Sequence, residues 1–473
     1  MRNMSKTRSR AAWMPVLAAA LAAGACGDIS VPDYNRAGTG DLINAPNKTL
    51  VDAASAGLLQ NTRRDPPNRV RVTGIVGREA YILDPNESRN VTELVTGNID
   101  PSSFTGNHDY NNPYGTLAQG RMILAAIEKV LPAEYTAAQR EAIRGFAYTM
   151  MGNDMLVLAQ MHQFGPTDVN LDPLAPPLPM KTQPEMYAQA AVFLDSAVAH
   201  LKAGGTSFTF PLPSGFTQFA SAKFTSPSEG FLKFNRALRT RLDILRKDYP
   251  AAKVHADSSF LTLDGTRAGL NTGVYFTYSA GSGDQVNTLA QGVTEVAEPT
   301  LRTDAQLKAD GSRDNRYTLK VDEGAARTQL GITSTLRYAH YKTRPFFGPG
   351  GTASPIPWVR NEELILNRAE ARWFTGDKAG AMSDLNFVRT NSGGLDAIAT
   401  IPASDAAFTA ALLYERRYSL MYEGGFRWLD LRRFNLLSTL DNYPRAGDKS
   451  IVYWPVPFSE CLARGGAGSA PGC

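Results

Sequence analysis

Carboxylates and arginines recur between positions 355 and 433, and they are the residues of this stretch that could do chemistry. Two carboxylates on either side of a glycosidic bond would act as general acid and base in a glycoside hydrolase. The candidates are Glu370, Glu415 and Glu423. Nothing near them in the sequence indicates an oriented nucleophile or a metal ion. Ion pairs that brace neighbouring helices are a common reason for semi-buried charges. The sequence therefore favours a bracing role over catalysis.

The histidines show no metal-binding or catalytic pattern. The chain has five, none paired at the spacing of metal ligands: His108, His162, His200, His255 and His340. The sequence also lacks a P-loop, a G-x-S-x-G elbow and a G-x-G-x-x-G motif after a strand. We therefore expect a protein that binds a ligand and is not an enzyme, with no cofactor and no metal site.

Three helices are predicted to position the charges of residues 355–433. The first spans residues 358–374, where apolar side chains recur at the spacing of one helix face: Val359, Leu366, Ala369 and Trp373. Gly376 ends this helix, and Asp377 can cap the next one. Ser404 marks the predicted start of a third helix, which is expected to run to about Glu423. Helix pairs with glycine at the corners are typical of helical-repeat proteins.

The order of motifs in this stretch is similar to that of one known family. The motifs are Arg360…Glu363, Ala369-Glu370-Ala371, Leu385-Asn386-Phe387-Val388-Arg389, Glu415-Arg416-Arg417 and the run 423–433. This series resembles the C-terminal half of the SusD/RagB family, the nutrient-binding outer-membrane lipoproteins. One departure is that two residues, Gly425 and Phe426, precede the arginine of the last motif, where the family usually has one. The resemblance is strongest over 355–433 and weakest over 258–354.

The resemblance implies both a fold and a function. The fold would be mainly α, a tetratricopeptide-like helical-repeat scaffold with inserted loops and short β-hairpins. Residues 44–473 would form one domain with a loop-rich insertion at about 258–357. The function would be capture of an oligosaccharide, a peptide or another small nutrient for a SusC-like TonB-dependent outer-membrane transporter. A helical glycoside hydrolase and a helical-repeat scaffold of the envelope are the alternatives.

The N-terminus has the features of a lipoprotein signal peptide, which is predicted to span residues 1–25. Basic residues precede a mostly apolar run at 11–23, which is too short to span a membrane, and small residues lead to Cys26. The sequence around Cys26 resembles a bacterial lipoprotein box, so this cysteine is the expected lipid anchor. An ordinary secretory signal with an incidental cysteine is the alternative. Residues 26–43 would form a tether, and the protein would face the exterior from the outer membrane.

Removal of the signal peptide also removes four positive charges: Arg2, Lys6, Arg8 and Arg10. The formal net charge of +4 then falls to zero, which argues against nucleic acid as a partner. Besides Cys26, the chain has Cys461 and Cys473. An exported compartment permits a disulfide between them, and metal binding by two isolated thiols is the other interpretation.

Tyrosines in two loop-rich regions are the predicted ligand contacts. They are Tyr81 and Tyr110 in the N-terminal region and Tyr275 and Tyr278 in the insertion. We expect the two regions to converge on one face, with at least one of these side chains on the ligand. The alternative is that they fill small cores under the loops. The tryptophans after the signal peptide lie in C-terminal motif segments, where core packing is expected: Trp358, Trp373, Trp428 and Trp454.

Overall fold

The computed structural model describes residues 39–172, 174–219, 224–344 and 346–473. Its helices of eight or more residues are α1 (Lys48–Thr62), α2 (Pro66–Val76), α3 (Asn111–Lys129), α4 (Ala137–Met161), α5 (Gln183–Ala203), α6 (Leu232–Arg246), α7 (Tyr249–Asp257), α8 (Asn361–Phe374), α9 (Lys378–Asn391), α10 (Asp405–Ser419) and α11 (Phe426–Arg433). Shorter helices are Thr39–Asn44, Arg89–Thr92, Arg267–Leu270, Thr300–Thr303, Asn315–Lys320 and Phe458–Ala463. None of the described helices is both long and apolar enough to cross a membrane.

The strands are short and pair two by two within the described residues. They are β1 (Ala80–Ile82), β2 (Phe164–Gly165), β3 (Lys181–Thr182), β4 (Gly273–Phe276), β5 (Glu295–Ala297), β6 (Val321–Gln329), β7 (Ile332–Tyr338) and β8 (Ile356–Arg360). The pairs are antiparallel: β1 with β5, β2 with β3, β4 with β8, and β6 with β7. The predicted fold class is therefore confirmed, with helices forming the scaffold and short strands inserted.

Successive helices pack against one another along the chain. Contacts join α3 to α4, α4 to α5, α5 to α6 and α6 to α7, and the series continues through α8 and α9. Small residues allow close crossings: a Cβ atom on Gly152 of α4 would lie 2.7 Å from Leu194 Cγ of α5. Neighbour-to-neighbour packing of this kind is the architecture of a helical repeat.

Polar side chains cap the helices where the sequence predicted helix starts. Asp377 accepts from Gly380 at 2.9 Å before α9, and Ser404 accepts from Ala407 at 3.2 Å before α10. Each cap satisfies a backbone donor that a helix start leaves without a partner inside the helix. These helix starts are therefore confirmed.

The first of the three C-terminal helices begins later than predicted. The structure places residues 358–360 at the end of β8, and the helix begins at Asn361. Val359 pairs with Val274 of β4 and Arg360 pairs with Gly273, so strand pairing keeps this segment extended. The third helix also ends early, at Ser419, and Tyr422 beyond it has a left-handed backbone with φ of 56°.

The domain folds slightly earlier in the chain than the predicted tether allows. Helix Thr39–Asn44 overlaps the end of the segment 26–43, and its Leu42 is buried in the main hydrophobic core. Burial of an apolar side chain stabilises this helix against the domain, so residues 39–43 are part of the fold. The signal peptide at 1–25 and Cys26 lie outside the described residues.

The four C-terminal tryptophans are all core residues, as expected. Their side chains lie within the three main hydrophobic clusters. Trp373 stacks on Phe408 with ring centroids 4.0 Å apart, which joins α8 to α10. Cys461 and Cys473 form a disulfide that closes the C-terminal segment, with Cα atoms 5.4 Å apart.

Candidate functional site

The carboxylates of the C-terminal helices are buried and paired with cations. Glu423 accepts hydrogen bonds from Lys320 Nζ at 2.7 Å and from Arg360 Nε at 2.8 Å. Glu415 forms ion pairs of 2.6 Å with Arg316 and 2.8 Å with Arg389. Since these partners come from separate segments of the chain, the pairs connect the insertion to the helices. The charged residues therefore brace the fold, as the sequence favoured.

Glu370 belongs to a second group of braces. It is buried on α8 and accepts from Arg433 Nη2 at 2.7 Å, which ties α8 to α11. Arg416 on α10 donates to Asp430 of α11 at 2.7 Å and to Asn367 of α8 at 2.7 Å. Three helices are thus held in one arrangement, because each buried charge meets a partner that offsets its loss of hydration.

All four tyrosines predicted to contact ligand are buried, at most 6% exposed. Tyr81 sits in β1 with its ring fully buried. Tyr278 donates its hydroxyl to the Arg63 carbonyl at 3.1 Å, and Tyr275 donates to the Asn271 carbonyl at 2.6 Å. Strand pairing and loop packing cover both faces of these rings, so they present no open face to solvent. Their positions agree with the alternative interpretation, in which these tyrosines fill small cores under the loops.

Tyr110 has a different environment, because it lines a surface cavity of about 370 Å³. Its ring meets that of Tyr114 with centroids 4.8 Å apart in an edge-on arrangement. Burial is the main cause that raises the pKa of Tyr110 above its usual range. Glu460 and Arg464 form an ion pair on another wall. Tyr110 is thus the one of the four predicted tyrosines that lines this cavity, with its side chain 2% exposed.

A larger cavity of about 650 Å³ opens in the loop-rich insertion, and we call it the insertion cavity. Aromatic and polar side chains alternate around it: Phe219, Phe346, Phe347, Asp264, Arg267 and Asn271. Phe219 and Phe346 are partly exposed, whereas Phe347 is buried. Among the described lining residues there is one carboxylate, that of Asp264.

The short helix Arg267–Leu270 positions the polar side of the insertion cavity. Thr266 caps it by accepting from the Gly269 N–H at 3.0 Å. Asn361, at the start of α8, donates to the Gly269 carbonyl at 3.0 Å and fixes the helix to the scaffold. The Arg267 guanidinium lies 4.6 Å from the ring centroid of Phe346, close enough for a cation–π interaction.

Tyr275 supports the aromatic side of the insertion cavity from behind. Its ring centroid lies 4.3 Å from that of Phe219 and 5.8 Å from that of Phe347. Tyr275, a predicted ligand contact, therefore lies in the layer behind the lining of this cavity. The aromatic pair Phe346-Phe347 stands in a stretch rich in proline and glycine, and that composition was the available signal for an exposed loop.

Charge and polarity give the insertion cavity a definite chemistry. A backbone hydrogen bond from Thr266 is the main cause that lowers the pKa of Asp264, so this carboxylate is ionised at neutral pH. Asn271 adds an amide and Arg267 a guanidinium. Ring faces beside such groups suit a ligand that has apolar faces and many hydroxyls. Within the described residues, no cluster of three or more histidine, cysteine or acidic side chains could hold a metal ion.

Comparison with known proteins gives one family match, over the C-terminal part of the chain. Residues 266–464, which include the short helix at the cavity and all the buried ion pairs described above, match the family model of the SusD family. No curated protein sequence matches the chain at a significant level.

Similar folds occur among solved structures of Bacteroides proteins. A SusD superfamily protein from Bacteroides vulgatus is 15% identical, with a TM-score of 0.68 over 88% of this chain and 96% of that one. A SusD-like carbohydrate binding protein from Bacteroides fragilis is 13% identical, with a TM-score of 0.69 and coverage of 89% and 99%. Surface glycan-binding protein A from Bacteroides thetaiotaomicron, in complex with laminarihexaose, is 12% identical, with a TM-score of 0.68 and coverage of 89% and 98%. The resemblance seen in the charged motifs is therefore confirmed over residues 266–464, and the solved structures share the fold over most of the chain.

Proposed function

We propose that the protein is a cell-surface lipoprotein that binds a glycan in the insertion cavity and passes it to a SusC-like TonB-dependent outer-membrane transporter. The observation that carries this proposal is the pairing of two partly exposed phenylalanine rings with a carboxylate, an amide and a guanidinium around one cavity. Similar structures described as carbohydrate binding, one of them holding laminarihexaose, support it.

The lining favours a sugar over a purely apolar ligand. The faces of Phe219 and Phe346 can cover the apolar face of a pyranose. Asp264 accepts hydrogen bonds from hydroxyls, Arg267 donates them, and Asn271 can do both. A volume of about 650 Å³ lies within the usual range of small-ligand sites. The wall therefore compensates for the water that sugar hydroxyls lose on binding.

Binding without turnover follows from the same lining. Glycoside hydrolysis requires two carboxylates that flank the scissile bond, and the described wall of the insertion cavity offers Asp264 alone. The glutamates of the C-terminal helices are committed to buried ion pairs. We propose that captured glycans leave the cavity intact, and release of reducing sugar by the purified protein would contradict this.

Replacing Phe346 by alanine is expected to weaken oligosaccharide binding at least about tenfold, because the pyranose loses a stacking surface and Arg267 loses its ring partner. The measurement is isothermal titration of a panel of oligosaccharides that includes laminarihexaose. Arg267→Ala is a second variant at an exposed position.

Phe104→Ala is the matched control for Phe346→Ala. Phe104 is 46% exposed and carries the Arg89 guanidinium 4.5 Å from its ring centroid, but it lies outside the insertion cavity. Wild-type affinity in the control with reduced affinity in Phe346→Ala supports the proposal. Binding that is unchanged in both Phe346→Ala and Arg267→Ala would place the glycan elsewhere, and the cavity of Tyr110 would be examined next.

Cys26→Ala is expected to move the protein from the membrane fraction to a soluble fraction. The expectation rests on acylation of Cys26, because each buried methylene of a lipid chain adds about 0.8 kcal/mol of membrane affinity. Fractionation of cells that express wild type and variant measures the change. Protease treatment of intact cells then tests whether the wild-type protein faces the exterior. Membrane attachment of the variant at the wild-type level would contradict the lipid anchor.

A further inference from the structure

A third cavity, of about 630 Å³, lies at the C-terminal end of α8, and we call it the aromatic cavity. Its walls are mostly apolar and include Tyr249, Phe374, Leu413, Phe434 and Leu436. The rings of Tyr249 and Phe374 stack with centroids 4.7 Å apart and planes 18° apart, and the Phe434 ring lies 6.5 Å from that of Phe374. These three aromatic rings are partly exposed and line the opening of the aromatic cavity.

The aromatic cavity is separate from the insertion cavity. Helix α8 reaches the insertion cavity with its first residue, Asn361, which holds the Gly269 carbonyl. Its last residue, Phe374, lies at the aromatic cavity. A helix of 14 residues is about 21 Å long. A ligand in one cavity therefore does not contact a ligand in the other.

A lysine supplies the positive charge at the aromatic cavity. Lys247 lines it, is exposed, and holds its ammonium 5.8 Å from the ring centroid of Phe434. The guanidinium carbon of Arg433 lies 4.3 Å from the centroid of the Phe434 ring, but ion pairs with Glu370 and Asp430 offset its charge. None of the ion pairs in the described part of the chain involves Lys247. Its charge is therefore available to a ligand.

The acidic residue of this lining, Asp405, forms a hydrogen bond within the protein. Asp405 accepts a hydrogen bond from Trp373 Nε1 at 2.9 Å, which directs this carboxylate to the junction of α8 and α10. The remaining wall offers few groups that could bond to hydroxyls, and unpaired hydroxyls are costly against apolar walls. A sugar is therefore a poor match for this cavity, in contrast to the insertion cavity.

We propose that the aromatic cavity is a second ligand site and that it takes an aromatic carboxylate. The ring of the ligand packs against Phe374 and Phe434, where apolar and edge-to-face contacts are favourable. Its carboxylate meets the Lys247 ammonium at the rim, and the charge-assisted contact fixes the orientation. This proposal does not depend on glycan binding in the insertion cavity, since different residues carry it.

The test uses phenylacetate as the probe and isothermal titration as the measurement. Ala410→Trp places an indole at the cavity wall, whereas Ala407→Trp adds the same group at an exposed position of α10 outside the lining. We expect saturable binding to wild type and Ala407→Trp, and at least about tenfold weaker binding to Ala410→Trp. Thermal melting confirms that both variants are folded.

A second variant tests the charge. Lys247 has a left-handed backbone with φ of 58°, and asparagine tolerates that geometry, so Lys247→Asn removes the ammonium with little strain. We expect this variant to bind phenylacetate about tenfold more weakly and to bind neutral methyl phenylacetate as wild type does. Absence of saturable binding to wild type would overturn the proposal. Equal binding by Ala410→Trp would overturn the location, and equal binding of phenylacetate by Lys247→Asn would overturn the choice of a carboxylate.

Discussion

Replacing Glu423 by alanine is expected to lower the free energy of unfolding by about 3–5 kcal/mol. The Glu423 carboxylate lies between Lys320 and Arg360, and all three side chains are at most 1% exposed. Arg360 would keep Glu362 as a partner, whereas Lys320 would lose the carboxylate with which it pairs. A buried ammonium without a counter-charge accounts for most of the expected cost.

Urea unfolding followed by circular dichroism measures the effect of Glu423→Ala. The control is Glu323→Ala, since Glu323 pairs with Arg302 where the two side chains are 63% and 42% exposed. Exposed pairs contribute little because water screens them, so the control should unfold close to wild type. Burial lowers the pKa of Lys320, so the loss in Glu423→Ala should shrink at alkaline pH as the ammonium loses its proton. Unfolding of Glu423→Ala within 1 kcal/mol of wild type would contradict the bracing role.

The helices could be predicted because their signals are local in the sequence. Asp377 and Ser404 cap the helices that follow them, each by accepting a hydrogen bond from a backbone N–H of the first turn. Val359 misled the prediction because its spacing suits a helix, while its structure depends on β4, more than eighty residues earlier. Every residue of β8 is buried, so the strand shows none of the alternation that marks a half-buried strand.

The candidate site was harder to predict for a related reason. A tyrosine in a loop and a phenylalanine in a loop look alike in sequence, and burial decides which of them can meet a ligand. Tyr275 is buried behind the insertion cavity, whereas Phe346 is partly exposed at its surface. The order of these layers is set by contacts between the insertion, Phe219 and the start of α8, which are far apart in the chain.

A second large effect is expected at Asp154, an acidic residue buried in α4. One carboxylate oxygen accepts from the Asn153 amide at 3.1 Å, and the other has no hydrogen-bond partner among the described residues. Arg69 is the nearby cation, but it pairs with Asp109 at 2.6 Å. Burial, only partly offset by Arg69, raises the pKa of Asp154 to about 8. The folded protein therefore keeps this proton at neutral pH, whereas the unfolded chain releases it near pH 4.

Asp154→Asn is expected to remove a loss of stability that wild type suffers as the pH rises. Between pH 4 and 8 the folded state holds one more proton at this site than the unfolded state, so the free energy of unfolding falls with increasing pH. From pH 5 to 8 the loss amounts to about 3–4 kcal/mol, and a neutral amide of the same shape does not incur it. Urea unfolding of both proteins at pH 5 and pH 8 isolates this site, because other titrating groups are common to both. The gap in stability, variant minus wild type, should grow by about that amount between the two pH values. A gap that is the same at both would mean that Asp154 is ionised in the folded protein with Arg69 as its partner.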